Sequence, residues 1–175
     1  SVPVIGTLTG SLGQQQGQWL GALDVAVSSP VALTGRLEGQ GETLTANFNY
    51  VQSGMTASAT GAVLPALALN VNAAYRDLAT LQGSVSGSFA EPSLTGVVQT
   101  KEFSNEALGF VLPAQSFEVT GELGETLLTL TNEGTNLSVA RDTVTGQLIV
   151  PFTLKEQAHT LQADVSGAIT NPNVV

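Results

Sequence analysis

The 175-residue chain has no cysteine, one histidine, and few charged (11%) or aromatic (5%) residues. The absence of cysteine excludes disulfides, a thiol nucleophile and cysteine-based zinc sites. Fourteen acidic and 5 basic residues give a net charge of −9. This charge argues against binding to nucleic acid or to an anionic membrane surface, because both require clustered lysine and arginine. No apolar run reaches the roughly 18 residues of a transmembrane helix.

The sequence also lacks the motifs of an enzyme. It has no G-x-S-x-G nucleophile elbow and no phosphate-binding loop. The single histidine, His159, is predicted to be a surface residue near the start of a strand. The segment 132–136 is too poor in carboxylates to favour a calcium site. We therefore expect no catalytic, cofactor-binding or metal-binding residues.

What the chain does have is a regular alternation of apolar residues with small, uncharged polar ones. Leu44, Ala46, Phe48 and Tyr50, for example, alternate with threonine and asparagine. A period of two is typical of strands with one apolar and one solvated face. The pattern predicts about 13 strands, at 4–13, 19–28, 31–38, 42–51, 54–63, 66–75, 78–90, 92–101, 115–123, 126–132, 136–140, 143–154 and 159–169.

Short connections rich in glycine, proline, asparagine and aspartate separate these segments and predict antiparallel neighbours, hence an all-β meander. The longest connection runs from Glu102 to Pro113, and a helical turn is predicted at 104–109. Residues 66–80 are rich in alanine but alternate like a strand. Glycines at inward positions would let the sheet bend: Gly10, Gly35, Gly61, Gly87, Gly96, Gly121 and Gly146.

A repeat of 80 residues relates 81–92 to 161–172, each of which contains Val-Ser-Gly and ends in proline. A weaker third copy lies at 28–35. We interpret the unit as a strand, a proline-containing turn and a new strand, which is typical of an array extended along one axis. The chain is expected to be a single β-rich segment, 1–175, of a longer repetitive polypeptide.

Two tripeptides recur along the chain: Leu-Thr-Gly at 8–10, 33–35 and 94–96, and Val-Ser-Gly at 85–87 and 165–167. In these repeats the chain resembles the long periplasmic region of the TamB and AsmA-like envelope proteins of diderm bacteria. The resemblance implies an antiparallel meander curled into a trough, or β-taco, with an aliphatic concave face. It also implies that the trough shelters lipid acyl chains between the inner and outer membranes, or supports outer-membrane protein assembly with an assembly-factor barrel as partner.

On this hypothesis the trough is lined by alternating apolar residues of several strands, and no cofactor is needed. The predicted lining residues are Leu44, Phe48, Leu67, Leu69, Val71, Val119, Leu128, Leu130, Leu148, Val150, Phe152 and Leu154. An adhesin-like or scaffold β domain remains the alternative. Such a domain would bury the same residues in a closed, dry core and would have no role with lipid.

Overall fold

A computed structural model describes residues 5–29, 31–125 and 127–175. Within these ranges the chain consists of antiparallel β-strands, turns and short links, which confirms the predicted all-β meander. No helix capable of crossing a membrane is found in the described ranges. Three positions used in the predictions lie outside them: Val4 and Thr126, at predicted strand starts, and Pro30, in the predicted turn of the weakest repeat copy.

The chain divides into two compact units, 1–92 and 93–175, which we call unit 1 and unit 2. Unit 1 contains an antiparallel meander in which each strand pairs with the next along the chain. Its strands are β1 (Ile5–Gln15), β2 (Gln18–Ser29), β3 (Ala32–Gly41), β4 (Thr43–Gln52), β5 (Met55–Leu64), β6 (Leu67–Tyr75) and β7 (Ala79–Gly87).

Unit 2 is built from β8 (Pro92–Thr100), β9 (Phe103–Asn105), β10 (Phe110–Leu112), β11 (Ser116–Glu122), β12 (Leu127–Thr131), β13 (Asn136–Ala140), β14 (Thr143–Leu154), β15 (Gln157–Ala168) and β16 (Asn171–Val174). Strands β8 and β11 to β16 pair in that order. The small β9–β10 hairpin pairs with the far end of β14. One edge of β14 is therefore shared between β13 and β10.

Three short strands, β9, β10 and β16, were not predicted. No helix forms at 104–109, where a helical turn was predicted: residues 104 and 105 end β9, and 106–109 form a tight hairpin loop to β10. The N–H of Leu108 donates to the carbonyl of Asn105 (3.2 Å), and that of Gly109 donates to the carbonyl of Glu106 (3.1 Å). The alanine-rich segment forms β6 and the start of β7, as predicted.

Several hairpins close with two-residue turns in which both residues have positive φ, as in type I′ turns. Gln16 and Gly17 have φ of 51° and 82°, and Ser53 and Gly54 have 49° and 82°. This turn type matches the natural twist of antiparallel strands, which explains why the sequence needs so few linking residues. The 80-residue repeat corresponds in both copies to a strand, a turn and a new strand.

Candidate apolar binding face

The strand registers of unit 1 bring its apolar residues onto one face of the meander. Cross-strand partners share a face, so residues that are paired across successive strands lie side by side in one row. One row runs Gly10, Leu23, Leu37, Ala46, Gly61, Leu69, Val85, and the next runs Leu8, Val25, Gly35, Phe48, Ala59, Val71, Gly83. The opposite face carries mainly threonine, serine and asparagine. We call the apolar side face 1.

Five of the predicted lining residues belong to unit 1, and the structure places all of them on face 1. Leu44 and Leu67 are buried, each with 8% of its surface exposed, whereas Phe48, Leu69 and Val71 are half-buried. Along β4 the even-numbered residues are buried or half-buried and the odd-numbered ones exposed. The alternation in the sequence thus correctly predicts which side chains share a face.

The other predicted lining residues lie in unit 2 and also share a single face, which we call face 2. They are Val119, Leu128, Leu130, Leu148, Val150, Phe152 and Leu154. Val119 is the most buried of them, at 5% exposed, and Leu154, at the end of β14, is the least, at 37%. Val165 on β15 joins them, since it is buried and pairs with Gly146.

Charge is confined to the other side of the strands. Within the described strands, the charged residues all alternate with the apolar ones and point away from faces 1 and 2. They are Asp24, Arg36, Glu38, Glu118, Glu122 and Asp164. The remaining described charges lie in turns and links. Within the described strands, both apolar faces consequently carry no Asp, Glu, Lys or Arg side chain.

The chain exposes more surface than two sealed globular units of its mass would expose. The solvent-accessible surface of the chain is 11394 Å². Two separate globular units of half this mass would together expose about 9,700 Å². The excess, together with the many half-buried aliphatic residues, indicates that much of each apolar face is only partly removed from water.

Face 1 is bent at one corner, where two glycines interrupt it. Leu12 on β1 reaches across β2 at Gly21, and its Cδ1 lies 2.9 Å from where a β-carbon on Gly39 of β3 would sit. Strands β1 and β3 would be about 9.6 Å apart in a flat sheet, too far for so close an approach without bending. The seven glycines predicted at inward positions all lie on face 1 or face 2.

Gly35 shows the most direct use of a missing side chain. The ring of its cross-strand partner Phe48 lies in the space that a β-carbon at residue 35 would occupy. Phe48 can therefore lie flat along face 1 instead of standing away from it. Gly121 and Leu128 repeat the arrangement on face 2.

An aromatic cluster at the far end of β14 was missed by the sequence analysis. The ring of Phe152 stacks on His159 with centroids 5.2 Å apart, and contacts Phe110 at 5.6 Å. Phe110 in turn lies 6.4 Å from Phe103. His159 is exposed, as predicted, but pairs with Phe152 across the β14–β15 ladder. No sequence signal identified the cluster, because it depends on the unpredicted hairpin β9–β10.

The polar side of unit 2 has a cavity of about 710 Å³. It is lined by Gln115, Ser116, Glu118, Thr131, Asn132, Glu133, Ile149, Pro151 and Thr160. In the described part of the chain, no three histidine, cysteine, aspartate or glutamate side chains converge as metal ligands would. Two of the lining residues, Asn132 and Glu133, belong to the segment 132–136 that was considered for calcium, and this segment also contains a buried structural contact.

That contact is made by Thr135, which is only 2% exposed. Its Oγ1 accepts a hydrogen bond from the N–H of Ile149 (2.9 Å) and donates one to the carbonyl of Ile149 (3.1 Å). Ile149 lies on β14 between the stretches paired with β13 and with β10. The threonine hydroxyl thus takes the place of a strand partner where the ladder is interrupted.

Comparison with protein-family models, with curated proteins and with solved structures finds no match to this chain.

Proposed function

We propose that the chain is a periplasmic segment of a bridge-type envelope protein similar to TamB and the AsmA-like proteins, and that faces 1 and 2 shelter lipid acyl chains. In this proposal each meander curls around its apolar face to form a trough. The parent chain carries lipid between the inner and outer membranes or assists outer-membrane protein assembly.

The observation that carries the proposal is the separation of charge from an incompletely covered aliphatic face. A specific small-molecule site usually has a few polar groups converging on the ligand. Faces 1 and 2 instead offer mainly leucine, valine, alanine and glycine, with aromatic residues such as Phe48 and Phe152 and with no Asp, Glu, Lys or Arg in the described strands. A largely aliphatic wall suits a hydrocarbon that has to slide, because few polar groups are available to fix its position.

The dimensions and energies fit an acyl chain. Seven strands spaced about 4.8 Å apart span about 29 Å. The hydrocarbon core of a bilayer is about 30 Å thick and holds two chains end to end, so one chain needs about 15 Å. Burying a dozen methylenes contributes on the order of 10 kcal/mol before the costs of association.

The test is to express the fragment in the periplasm of a diderm bacterium and to measure co-purified lipid by mass spectrometry. Phe48→Asp and Val150→Asp each place a charge on an apolar face and should lower the lipid-to-protein ratio several-fold. Asn49→Asp adds the same charge next to Phe48 but on the exposed, opposite side, and should leave the ratio unchanged. Circular dichroism verifies that each variant retains its strands.

A closed scaffold is the second candidate, and the buried part of the apolar faces favours it. Ala46 and Ala163 are each only 4% exposed, and Val119 is 5% exposed. If the rest of faces 1 and 2 is as buried in solution as these three residues are, the protein will carry no lipid and will not bind a fluorescent fatty acid. That result would contradict the lipid proposal and support an adhesin-like or structural domain.

A further inference from the structure

The polar cavity of unit 2 lies at a gap inside the sheet. Strands β12 and β13 have 5 residues each, whereas β14 has 12. Strand β13 pairs with β14 as far as Gln147, and β10 pairs with β14 again only from Thr153. In the described part of the chain, residues 148–152 therefore have no strand partner on this edge. Because β13 bounds the gap at one end and β10 at the other, it is a feature of the interior of the sheet.

Three segments form the walls of this cavity. One is the start of β11, the second is the turn between β12 and β13, and the third is the second half of β14 with its neighbour β15. The volume of about 710 Å³ lies within the range of small-molecule sites, which is about 300–1,000 Å³. The cavity is therefore large enough for an organic ligand.

Two amide side chains in the wall are held in place by hydrogen bonds. The Nε2 group of Gln115 donates to the carbonyls of Pro113 (3.3 Å) and Ala114 (3.2 Å). The Nδ2 group of Asn132 donates to Oε1 of Gln115 (3.4 Å), and the backbone N–H of Asn132 donates to the carbonyl of Thr135 (3.1 Å). Both amides are half-buried. The wall is thus ordered before a ligand arrives, which lowers the entropy cost of binding.

The wall offers a ligand mainly hydrogen-bond acceptors. Glu118 and Glu133 are exposed and, as carboxylates, can only accept. The Oδ1 oxygen of Asn132 is a further acceptor. The lining residues include no lysine, arginine or histidine, so no positive side chain lines the cavity to neutralise an anion. The matching ligand supplies several donors and carries no negative charge.

Apolar surface lies beside these acceptors. Ile149, which is half-buried, and Pro151, which is exposed, line the cavity from the polar side of β14. Hydroxyl donors arranged around a ring with C–H groups match this combination, and a saccharide has that structure. An ammonium group would satisfy the carboxylates but would leave the two apolar side chains without a matching surface.

We propose that this cavity binds an uncharged saccharide. Its hydroxyl groups donate to Glu118, Glu133 and Asn132, and its C–H groups lie on Ile149 and Pro151. The cavity is on the polar side of unit 2, opposite face 2, so this site goes beyond the lipid proposal and does not depend on it. A saccharide and an acyl chain would occupy opposite sides of the same strands.

The first experiment screens the fluorescently labelled protein against an array of neutral hexose and N-acetylhexosamine oligomers, with EDTA present. Titration calorimetry then gives the dissociation constant of the oligomer that binds most tightly. Glu118→Ala should raise this constant at least tenfold. Glu122→Ala is the matched control, because Glu122 is also an exposed glutamate on the polar side of β11 but does not line the cavity. Binding to no oligomer would overturn the proposal, as would equal effects of the two variants.

The second experiment locates the bound saccharide by nuclear magnetic resonance and needs no variant. Titration of the protein with the same oligomer should shift the backbone amide signals of Gln115, Asn132 and Ile149, which line the cavity. The signals of unit 1 should stay in place. Shifts confined to other parts of the chain would refute the assignment of the site to this cavity.

Discussion

Replacing Thr135 by valine should destabilise unit 2, although valine and threonine have nearly the same shape. The change replaces the hydroxyl group by a methyl group and so removes the two hydrogen bonds to Ile149. The N–H and carbonyl of Ile149 then lack a partner at a point where neither β13 nor β10 pairs with β14. Because residue 135 is 2% exposed, water cannot easily replace the lost partner.

The expected size of the effect follows from these contacts. Leaving a buried donor or acceptor unsatisfied costs about 1–3 kcal/mol. Two such groups, both only partly buried, give a loss of about 2–4 kcal/mol for Thr135→Val. Thr135→Ser keeps the hydroxyl and removes one methyl group, which costs about 1 kcal/mol. The serine variant should therefore be clearly more stable than the valine variant.

Urea unfolding followed by far-ultraviolet circular dichroism gives the free energy of unfolding of the three proteins. Amide hydrogen exchange adds a local measurement, since the N–H of Ile149 should lose protection in Thr135→Val and keep it in Thr135→Ser. If the serine variant proved as unstable as the valine variant, packing of the methyl group rather than hydrogen bonding would explain the burial of Thr135. The proposed role as a substitute strand partner would then be wrong.

Three further outcomes can be checked by thermal and chemical unfolding. The double change Lys155→Asn, Glu156→Gly should raise stability by about 1 kcal/mol, because both residues have positive φ (49° and 65°) in a two-residue turn; an unchanged melting temperature would contradict this. Gly35→Ala should lower the free energy of unfolding by about 1–3 kcal/mol, because the new β-carbon collides with the Phe48 ring. Adding Phe48→Leu should recover part of this loss, and a double-mutant cycle measures the recovery. Strictly additive effects would argue against the collision. Asp24→Asn removes an exposed ion pair of 3.1 Å and should change stability by less than about 1 kcal/mol, with no residual effect in high salt; a larger loss would mean that the pair is more than a surface contact.

The sequence predicts the strands and their faces well because both follow from local information. A period of two fixes which residues share a face, whatever the neighbouring strand is. Phe48 and Val150 could therefore be assigned to apolar faces before any register was known. The short links predicted antiparallel neighbours for the same reason, since two-residue turns allow little else.

The parts that could not be predicted depend on contacts distant in sequence. Strands β9 and β10 have 3 residues each, too few for a period to be recognised. Strand β10 pairs with the end of β14, beyond the part of β14 that pairs with β13. The stacking of Phe152 on His159 follows from the β14–β15 register, which alternation does not specify. The role of Thr135 is likewise invisible in the sequence, where it is one threonine among many.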